Sequence, residues 1–151
     1  MNKGDTLPDI TLNDQDGQPY SISEVKGKQP VVAFFYPKNF TPGCTKEACS
    51  FRDAYEDFKD LGAAVIGISA DSDTSHQKFA KRYNLPFILL ADTENKARKL
   101  FNVKSKLLGL LPGRETFVFN ANGTLVYKFE SMNATKHIEK SLKYLQKNSD
   151  G

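Results

Sequence analysis

The chain has 151 residues, of which 39% are hydrophobic and 26% charged, as expected for one soluble globular domain spanning residues 1–151. Its net charge of +3 comes from 21 basic and 18 acidic side chains spread along the chain, which provides no basic stripe for nucleic acid. The longest apolar run, Val31 to Tyr36, is far shorter than the ~20 residues that span a bilayer, and the first residues lack a signal-peptide core. We therefore expect a cytoplasmic protein without nucleic-acid or membrane partners.

The first predicted element is a β-hairpin. Residues 10–22 alternate polar and apolar side chains around an Asp-Gly turn at positions 16 and 17. Next, Val31 to Tyr36 is a continuous apolar run between Pro30 and Pro37, which predicts a strand buried on both faces at the centre of a sheet.

A long amphipathic helix is predicted to follow. Its apolar stripe recurs at steps of four and three residues and runs to about Leu61, with Gly62 ending the helix. The stripe consists of Cys44, Ala48, Phe51, Tyr55 and Phe58.

The rest of the chain alternates strands and helices. The patterns predict strands at 63–68, 87–90, 116–119 and 124–129, and helices at 74–83, 94–101 and 134–147. The last two strands flank Asn-Ala-Asn-Gly and form a hairpin. This order predicts an α/β fold with a central, mostly parallel mixed sheet flanked by helices and an N-terminal β-hairpin.

The only two cysteines, Cys44 and Cys49, follow the point where the central strand passes to the long helix. Open α/β sheets place reactive groups at the carboxyl ends of strands. Thr41 suits the N-cap and Pro42 the first helical position, so Cys44 is about the third residue of the helix. Unpaired backbone N–H groups and the positive end of the helix dipole favour a thiolate there. A buried structural cysteine is the alternative, because a cysteine on an apolar stripe is usually a small hydrophobe.

The spacing of the two cysteines excludes a ready-made bridge. In an intact helix the Cα atoms of residues five apart are ~8.7 Å from each other, beyond the ~7 Å limit for a disulfide. A Cys44–Cys49 disulfide therefore requires the first helical turns to unwind, which suits a cycle between two states better than a structural bridge.

The segment from Pro37 through Thr41 to Cys44 resembles the Pro-x-x-x-Thr-x-x-Cys signature of peroxiredoxins. Cys49 is similar to the resolving cysteine of the peroxiredoxin Q, or bacterioferritin comigratory protein, subgroup. The resemblance extends from Gly4 to the last helix. It implies a thioredoxin-like fold and a thiol-dependent peroxidase that needs no cofactor and no metal.

The resemblance also implies roles for individual residues. A hydroperoxide, either hydrogen peroxide or an organic one, would oxidise the nucleophile to a sulfenic acid, and an intramolecular disulfide would follow. A thioredoxin or similar dithiol would then reduce the monomeric enzyme. The implied roles are Cys44 as nucleophile, Cys49 as resolver, Thr41 and Arg114 as hydrogen-bonding partners of Cys44, Pro37 as a shield, and Glu47 as a further member of the motif.

Arg114 suits the chemistry of peroxide cleavage. Its guanidinium is planar, always charged and rich in donors, so it can orient the O–O bond and stabilise the leaving oxygen. Taken singly, Arg114 could equally be a surface charge, Glu47 a solvated residue of the first helical turn, and Pro37 the end of a strand.

Two other functions compete with this interpretation. A thioredoxin-like thiol–disulfide oxidoreductase would normally need Cys-x-x-Cys, and the cysteines here are further apart. A metal-binding module could use both cysteines together with His76 and His137. However, these histidines lack ligand-like spacing and are expected to be solvated on helix surfaces.

An apolar cluster precedes Arg114 and departs from the family pattern. It is either ordinary core, the more frequent case, or an exposed collar that receives a reductant or an alkyl peroxide. Its members are Leu107, Leu108, Leu110 and Leu111.

Overall fold

The computed structural model describes residues 1–25, 27–103, 105–106, 111–112, 114–131 and 133–147. The strands in this part of the chain are β1 (Thr11–Asn13), β2 (Pro19–Ser21), β3 (Val31–Phe35), β4 (Ala64–Ser69), β5 (Ile88–Ala91), β6 (Ser105–Lys106), β7 (Leu111–Pro112), β8 (Glu115–Phe119) and β9 (Leu125–Glu130). Its helices are α1 (Pro42–Asp53), α2 (Tyr55–Asp60), α3 (Asp73–Tyr83), α4 (Lys96–Leu100) and α5 (Ala134–Lys147), with a 3₁₀ turn at Ile22–Glu24. None of these helices is long and apolar enough to cross a membrane.

Seven of the described strands form one mixed sheet, in the order β2-β1-β5-β4-β3-β8-β9. The strands β3, β4 and β5 are parallel, and the helices between them make the crossovers. The predicted mixed sheet with an N-terminal hairpin is confirmed, but the sheet is not mostly parallel as expected: among its described strands only the pairs β3–β4 and β4–β5 are parallel, and the other four pairings are antiparallel because both flanking hairpins add antiparallel strands. β4, not β3, occupies the middle, because the β1–β2 hairpin extends the sheet on one side and the β8–β9 hairpin on the other.

Both faces of β3 are buried, as its sequence predicts. Val32 and Phe34 face a core covered by α1, α2, α3 and α5. Val31, Ala33 and Phe35 face a second core, to which α4 and the N-terminal segment contribute. This division follows from the two-residue period of a strand, which sends alternate side chains to opposite faces.

The register between β3 and β8 positions the site. Phe35 pairs with Glu115, so Arg114 lies beside the end of β3, where the loop toward Cys44 begins. Because side chains alternate along a strand, Arg114 and Thr116 point to the face that α1 and α5 cover.

The long helix predicted through Leu61 is interrupted at Ala54, which separates α1 from α2. Near the end of α1, the Ser50 hydroxyl donates to the Lys46 carbonyl at 2.7 Å, a contact that bends helices. Both helices nevertheless pack on the same core, since the rings of Phe51 and Phe58 have centroids 5.6 Å apart. The predicted stripe is therefore correct although the helix is not continuous.

The short antiparallel pair β6–β7 was absent from the predicted elements. Two-residue strands have too little periodicity to be recognised in a sequence. The predicted cluster of Leu107, Leu108, Leu110 and Leu111 lies outside the residues whose side chains the structure describes. Its role as core or collar stays a prediction.

Candidate active site

Cys44 lies at the N-terminus of α1, in the predicted position. Thr41 is the N-cap with extended dihedrals (φ −83°, ψ 150°), Pro42 is the first helical residue, and the Thr45 N–H donates to the Thr41 carbonyl at 2.8 Å. The backbone N–H of Cys44 therefore comes before the first N–H that donates within the helix, so Cys44 lies among backbone N–H groups without helical partners. Its side chain is only 2% exposed. The helix dipole and these N–H groups stabilise negative charge on its sulfur.

The guanidinium of Arg114 contacts this sulfur. Nη2 of Arg114 donates to Sγ of Cys44 at 3.4 Å, and the arginine is 4% exposed. A Cβ atom at position 43 would lie 3.2 Å from the same Nη2, so Gly43 leaves room for the guanidinium. Burial acts to lower the pKa of Arg114, but Glu47 and Cys44 outweigh it and the pKa is raised. Arg114 is therefore a permanent cation beside the thiol.

Glu47 lies on the other side of this guanidinium. Nη1 of Arg114 donates to Oε1 of Glu47 at 2.5 Å, and Glu47 is fully buried. The alternative of a solvated first-turn carboxylate is therefore wrong. Burial raises the pKa of Glu47 to about 8, although Arg114 acts in the opposite direction. Two atoms of the pair, Oε2 of Glu47 and Nε of Arg114, have no hydrogen-bond partner among the described residues.

His137 extends the buried cluster from α5. Its Nδ1 lies 3.8 Å from Oε2 of Glu47 and 2.7 Å from the Thr116 hydroxyl, and its Nε2 lies 2.6 Å from the Ser131 carbonyl. Burial lowers the pKa of His137 to about 4, so the imidazole is neutral at pH 7. The expectation of a solvated histidine is wrong. The apolar periodicity of α5 predicts that Ile138 is buried. That signal could have indicated that the adjacent His137 is buried as well.

A second buried network anchors the loop that leads to Cys44. The Tyr36 hydroxyl donates to Oδ1 of Asn39 at 2.6 Å, and the Asn39 backbone N–H donates to Asp71 at 2.9 Å. Nδ2 of Asn39 lies 2.9 Å from Nδ1 of His76, whose Nε2 contacts the Leu90 carbonyl at 3.0 Å. His76 is fully buried rather than solvated. The sequence reasoning missed Asn39, which carries no distinctive spacing.

The other predicted site residues lie around this cluster. Pro37, partly buried, begins the loop. The Thr41 hydroxyl donates to the Lys38 carbonyl at 2.8 Å and neither caps the helix nor donates to Cys44. Cys49 is a partly exposed free thiol on the same unbroken helix as Cys44. Helical geometry places their Cα atoms ~8.7 Å apart, so the structure represents a dithiol form in which the two cannot bond.

The proposed set of metal ligands is not brought together in the structure. Among the residues that the structure describes, no group of three or more His, Cys, Asp or Glu side chains could hold a metal ion. His76 and His137 instead use their ring nitrogens in the two separate networks described above. The arrangement around Cys44 suits nucleophilic chemistry, because a buried sulfur faces a fixed cation that can also stabilise a leaving anion.

Comparisons with known proteins show which family and which structures this chain resembles. The AhpC/TSA family matches residues 3–128. The chain is 56% identical over 148 residues to "Peroxiredoxin Q, chloroplastic" of Sedum lineare, covering 97% of this chain and 78% of that protein. Peroxidoxin BcpB from Mycobacterium tuberculosis has a similar structure, with a TM-score of 0.90, 38% identity and 98% coverage of both chains. A cysteine-to-serine mutant of PrxQ from Xylella fastidiosa gives a TM-score of 0.91 with 28% identity, covering 99% of this chain and 98% of that chain.

The raised pKa of Glu47 predicts a specific pH dependence of stability. The folded protein keeps the Glu47 proton up to about pH 8, whereas the unfolded chain releases it near 4.5, so this stabilisation is complete below pH 4.5 and is lost as the pH rises through 8. His137 acts in the opposite sense, but only between about pH 4 and 6.5. Between pH 6.5 and 8 the free energy of unfolding of the parent should therefore fall by about 1–2 kcal/mol relative to that of the Glu47→Gln variant. Urea unfolding of both proteins at each pH measures the difference. A difference in unfolding free energy that stays constant over this pH range would contradict the raised pKa of Glu47.

Proposed function

Since this chain belongs to the AhpC/TSA family and is a thiol-dependent peroxidase of the peroxiredoxin Q type, we propose that Cys44 is its peroxidatic nucleophile and Cys49 its resolving thiol. The proposal rests chiefly on one observation, the contact between Nη2 of Arg114 and Sγ of Cys44 at the N-terminus of α1. A cation and a helix N-terminus beside a buried sulfur stabilise the negative charge that a nucleophilic sulfur carries.

In the first step the Cys44 thiolate attacks the terminal oxygen of a hydroperoxide. An S–O bond forms while the O–O bond breaks, and its electron pair leaves on the alkoxide, or on hydroxide when the substrate is hydrogen peroxide. The leaving oxygen takes up a proton, which gives an alcohol or water and a Cys44 sulfenic acid. Arg114 supports this step because its donors can hold the peroxide oxygens in line with the sulfur and stabilise the developing anion.

In the second step the Cys49 thiolate attacks the Cys44 sulfur. The S–S bond forms, the S–O bond breaks, and the hydroxide leaves as water after protonation. The ~8.7 Å between the two Cα atoms in an intact helix must shrink by several ångströms before this bond can form. The first turns of α1 therefore have to unwind in every cycle.

Three further residues support the nucleophile in this proposal. The Thr41 hydroxyl donates to the Lys38 carbonyl, so its lone pairs remain available to accept a hydrogen bond from the O–H of a peroxide. Pro37 helps to keep water from Cys44, which is 2% exposed. Glu47 holds the guanidinium of Arg114 from the side opposite the sulfur.

The cycle closes when an external dithiol reduces the Cys44–Cys49 disulfide. We propose a thioredoxin-like protein as this reductant, and both hydrogen peroxide and organic hydroperoxides as substrates. The monomeric state and the cytoplasmic location predicted from the sequence are part of the proposal, with a plastid as the alternative compartment because similar proteins are named chloroplastic. A coupled assay with thioredoxin, its reductase and NADPH tests the reductant directly.

A matched pair of variants separates the two cysteine roles. Cys44→Ser should fold normally but lose all turnover, because a hydroxyl keeps the packing without supplying a thiolate. Cys49→Ser should reduce one equivalent of peroxide and then over-oxidise to the sulfinic acid in excess peroxide, because no resolving thiol is present. Stopped-flow peroxide consumption and intact mass measure both outcomes. Multiple turnovers by Cys44→Ser would exclude it as the nucleophile.

Arg114→Lys should lower the second-order rate constant with peroxide by about 10- to 100-fold, although the charge is kept. An ammonium group cannot reach Cys44, Glu47 and a peroxide at once with the planar geometry of a guanidinium. Arg82→Lys is the matched control, since Arg82 is exposed on α3. Equal rate constants for the two variants would show that Arg114 takes no part in peroxide cleavage.

The required unwinding of α1 is measurable by amide hydrogen exchange. In the disulfide form, residues 41–51 should lose protection and the protein should unfold at a lower temperature than the dithiol form. Phe51 packs on Phe34 with ring centroids 4.3 Å apart, so its anchoring should weaken too. Amides of β4 provide the internal control. Equal protection of residues 44–51 in both redox forms would exclude Cys49 as the resolving thiol.

A further inference from the structure

The Thr41 hydroxyl has an unusual partner for the N-cap of a helix. An N-cap threonine usually accepts a hydrogen bond from a backbone N–H of the first helical turn. Here the hydroxyl donates to the Lys38 carbonyl at 2.8 Å and makes no capping bond. Its proton is therefore engaged and its lone pairs remain available, which is the state that the proposed contact with a peroxide O–H requires. The group that holds the Lys38 carbonyl in place thus determines how Thr41 meets the substrate.

The chain turns back toward this carbonyl at Phe40. The φ of Phe40 is 65°, in the left-handed region that a bulky residue rarely adopts. Such a conformation persists only where the surroundings fix it. The side chain of Asn39 supplies one fixed point, because its Oδ1 accepts from the Tyr36 hydroxyl at 2.6 Å and its Nδ2 donates to the Ser75 hydroxyl at 3.1 Å. These bonds hold the Asn39 side chain, whereas the peptide plane before Asn39 can still rotate about its two Cα atoms.

Asp71 selects the orientation of that peptide plane. The Lys38 C=O and the Asn39 N–H belong to one planar trans unit, so the two bonds point in opposite directions. The N–H donates to Oδ2 of Asp71 at 2.9 Å, and the carbonyl accepts from the Thr41 hydroxyl on the other side. A bond that fixes the N–H therefore fixes the carbonyl as well.

Asp71 is itself anchored at the carboxyl end of β4. The hydroxyl of Ser69, the last residue of β4, donates to Oδ2 of Asp71 at 2.6 Å, and the Asp71 N–H donates to the Ser69 oxygen at 3.3 Å. Ser69 is 1% exposed. The Thr41 hydroxyl donates toward this carboxylate by way of the peptide, and hydrogen bonds aligned in this way polarise one another. The carboxylate thereby makes the Thr41 oxygen a better acceptor.

We propose that Asp71 is a positioning residue of the peroxidase site, which orients the Thr41 hydroxyl through the peptide between Lys38 and Asn39. The inference deepens the proposed function and rests on the proposed roles of Cys44 and Thr41. Asp71 acts without touching the substrate. When the peptide is not held, the Thr41 hydroxyl turns to a backbone N–H of α1, as N-cap threonines usually do, and its lone pair is lost to the peroxide.

The test compares two substitutions of Asp71 in a Cys49→Ser background, where Cys44 is the reacting thiol. Stopped-flow consumption of one equivalent of hydrogen peroxide gives the second-order rate constant. Asp71→Ala removes the acceptor and should lower this constant about tenfold, the loss expected for one hydrogen bond in the transition state. Asp71→Asn keeps an oxygen that accepts from the Asn39 N–H and should stay within about threefold of the parent. Equal losses for the two variants would overturn the proposal.

A double-mutant cycle with Thr41→Val separates positioning from a general loss of structure. Valine keeps the shape of the side chain but has no hydroxyl, so Asp71→Ala should then cause less than about a twofold further loss. A loss of the same size with and without the hydroxyl would overturn the proposal. The midpoint of the pH profile of iodoacetamide alkylation should not move in Asp71→Ala, because the contact between Arg114 and Cys44 does not involve the loop peptide. A shift of this midpoint that accounts for the slower reaction would also overturn it.

Asn120→Ala is the matched control for loop stability. The Asn120 side chain also fixes a loop, since its Oδ1 accepts from the N–H groups of Asn122 and Thr124 at 3.0 Å. Asn120 follows the end of β8 that lies opposite to Arg114. Its substitution should lower the free energy of unfolding and leave the rate constant with peroxide unchanged. A loss of rate as large as that of Asp71→Ala would show that the rate follows stability, which would overturn the proposal.

Amide hydrogen exchange of the unaltered reduced protein protects the test against a variant that does not fold. The Asn39 amide should exchange slowly although it lies in a loop, because Asp71 accepts its proton. Exchange as fast as that of a solvated loop amide would overturn the proposal.

Failure of the proposed function gives a different result. Turnover by Cys44→Ser, or a parent rate constant for Thr41→Val, would contradict the proposed function and this inference with it. A slow Thr41→Val variant combined with a parent rate constant for Asp71→Ala would overturn this inference alone.

Discussion

The contact between the Arg114 guanidinium and the Cys44 sulfur is the interaction on which the rest of the site depends. It exists because β3 and β8 pair in one register, which brings the residue before β8 to the end of the strand that leads to Cys44. Gly43 leaves room for the guanidinium, and Glu47 fixes its far side. A cation in such dry surroundings acts on a sulfur far more strongly than it would in water.

The same helix has to satisfy two opposing requirements. A packed N-terminus of α1 holds Cys44 against Arg114, whereas a bond to Cys49 requires that N-terminus to open. Opening would also carry Glu47 away from Arg114 and His137, because Glu47 lies between the two cysteines on the helix. The buried contacts of Glu47 and Phe51 therefore oppose the step that completes the cycle, and the gain from forming the disulfide has to exceed their loss.

Buried histidines support the site from two sides without contacting the sulfur. His76 holds Asn39 and with it the loop that leads to Cys44, while His137 faces Glu47 from α5. In both rings one nitrogen contacts a backbone carbonyl, which fixes the neutral tautomer and the ring orientation. The geometry of the site thus depends on helices that contribute no residue to the proposed chemistry.

The sequence by itself determined most of the elements, the position of Cys44 as the third residue of α1 and the family resemblance, since periodicity, capping and motif spacing depend on residues a few positions apart. The bounds of α5 agree with the predicted 134–147. Only the tertiary structure decided the burial of Glu47, His76 and His137, and the contacts of Arg114 with residues 67 and 70 positions away. Those contacts follow from strand register and from the packing of α5 on α1, and neither leaves a periodic signal in the chain. Thr41 shows the same limit at short range. The sequence predicts that this residue is the N-cap, but the hydrogen bond from its hydroxyl to the Lys38 carbonyl depends on the path of a loop that distant side chains anchor.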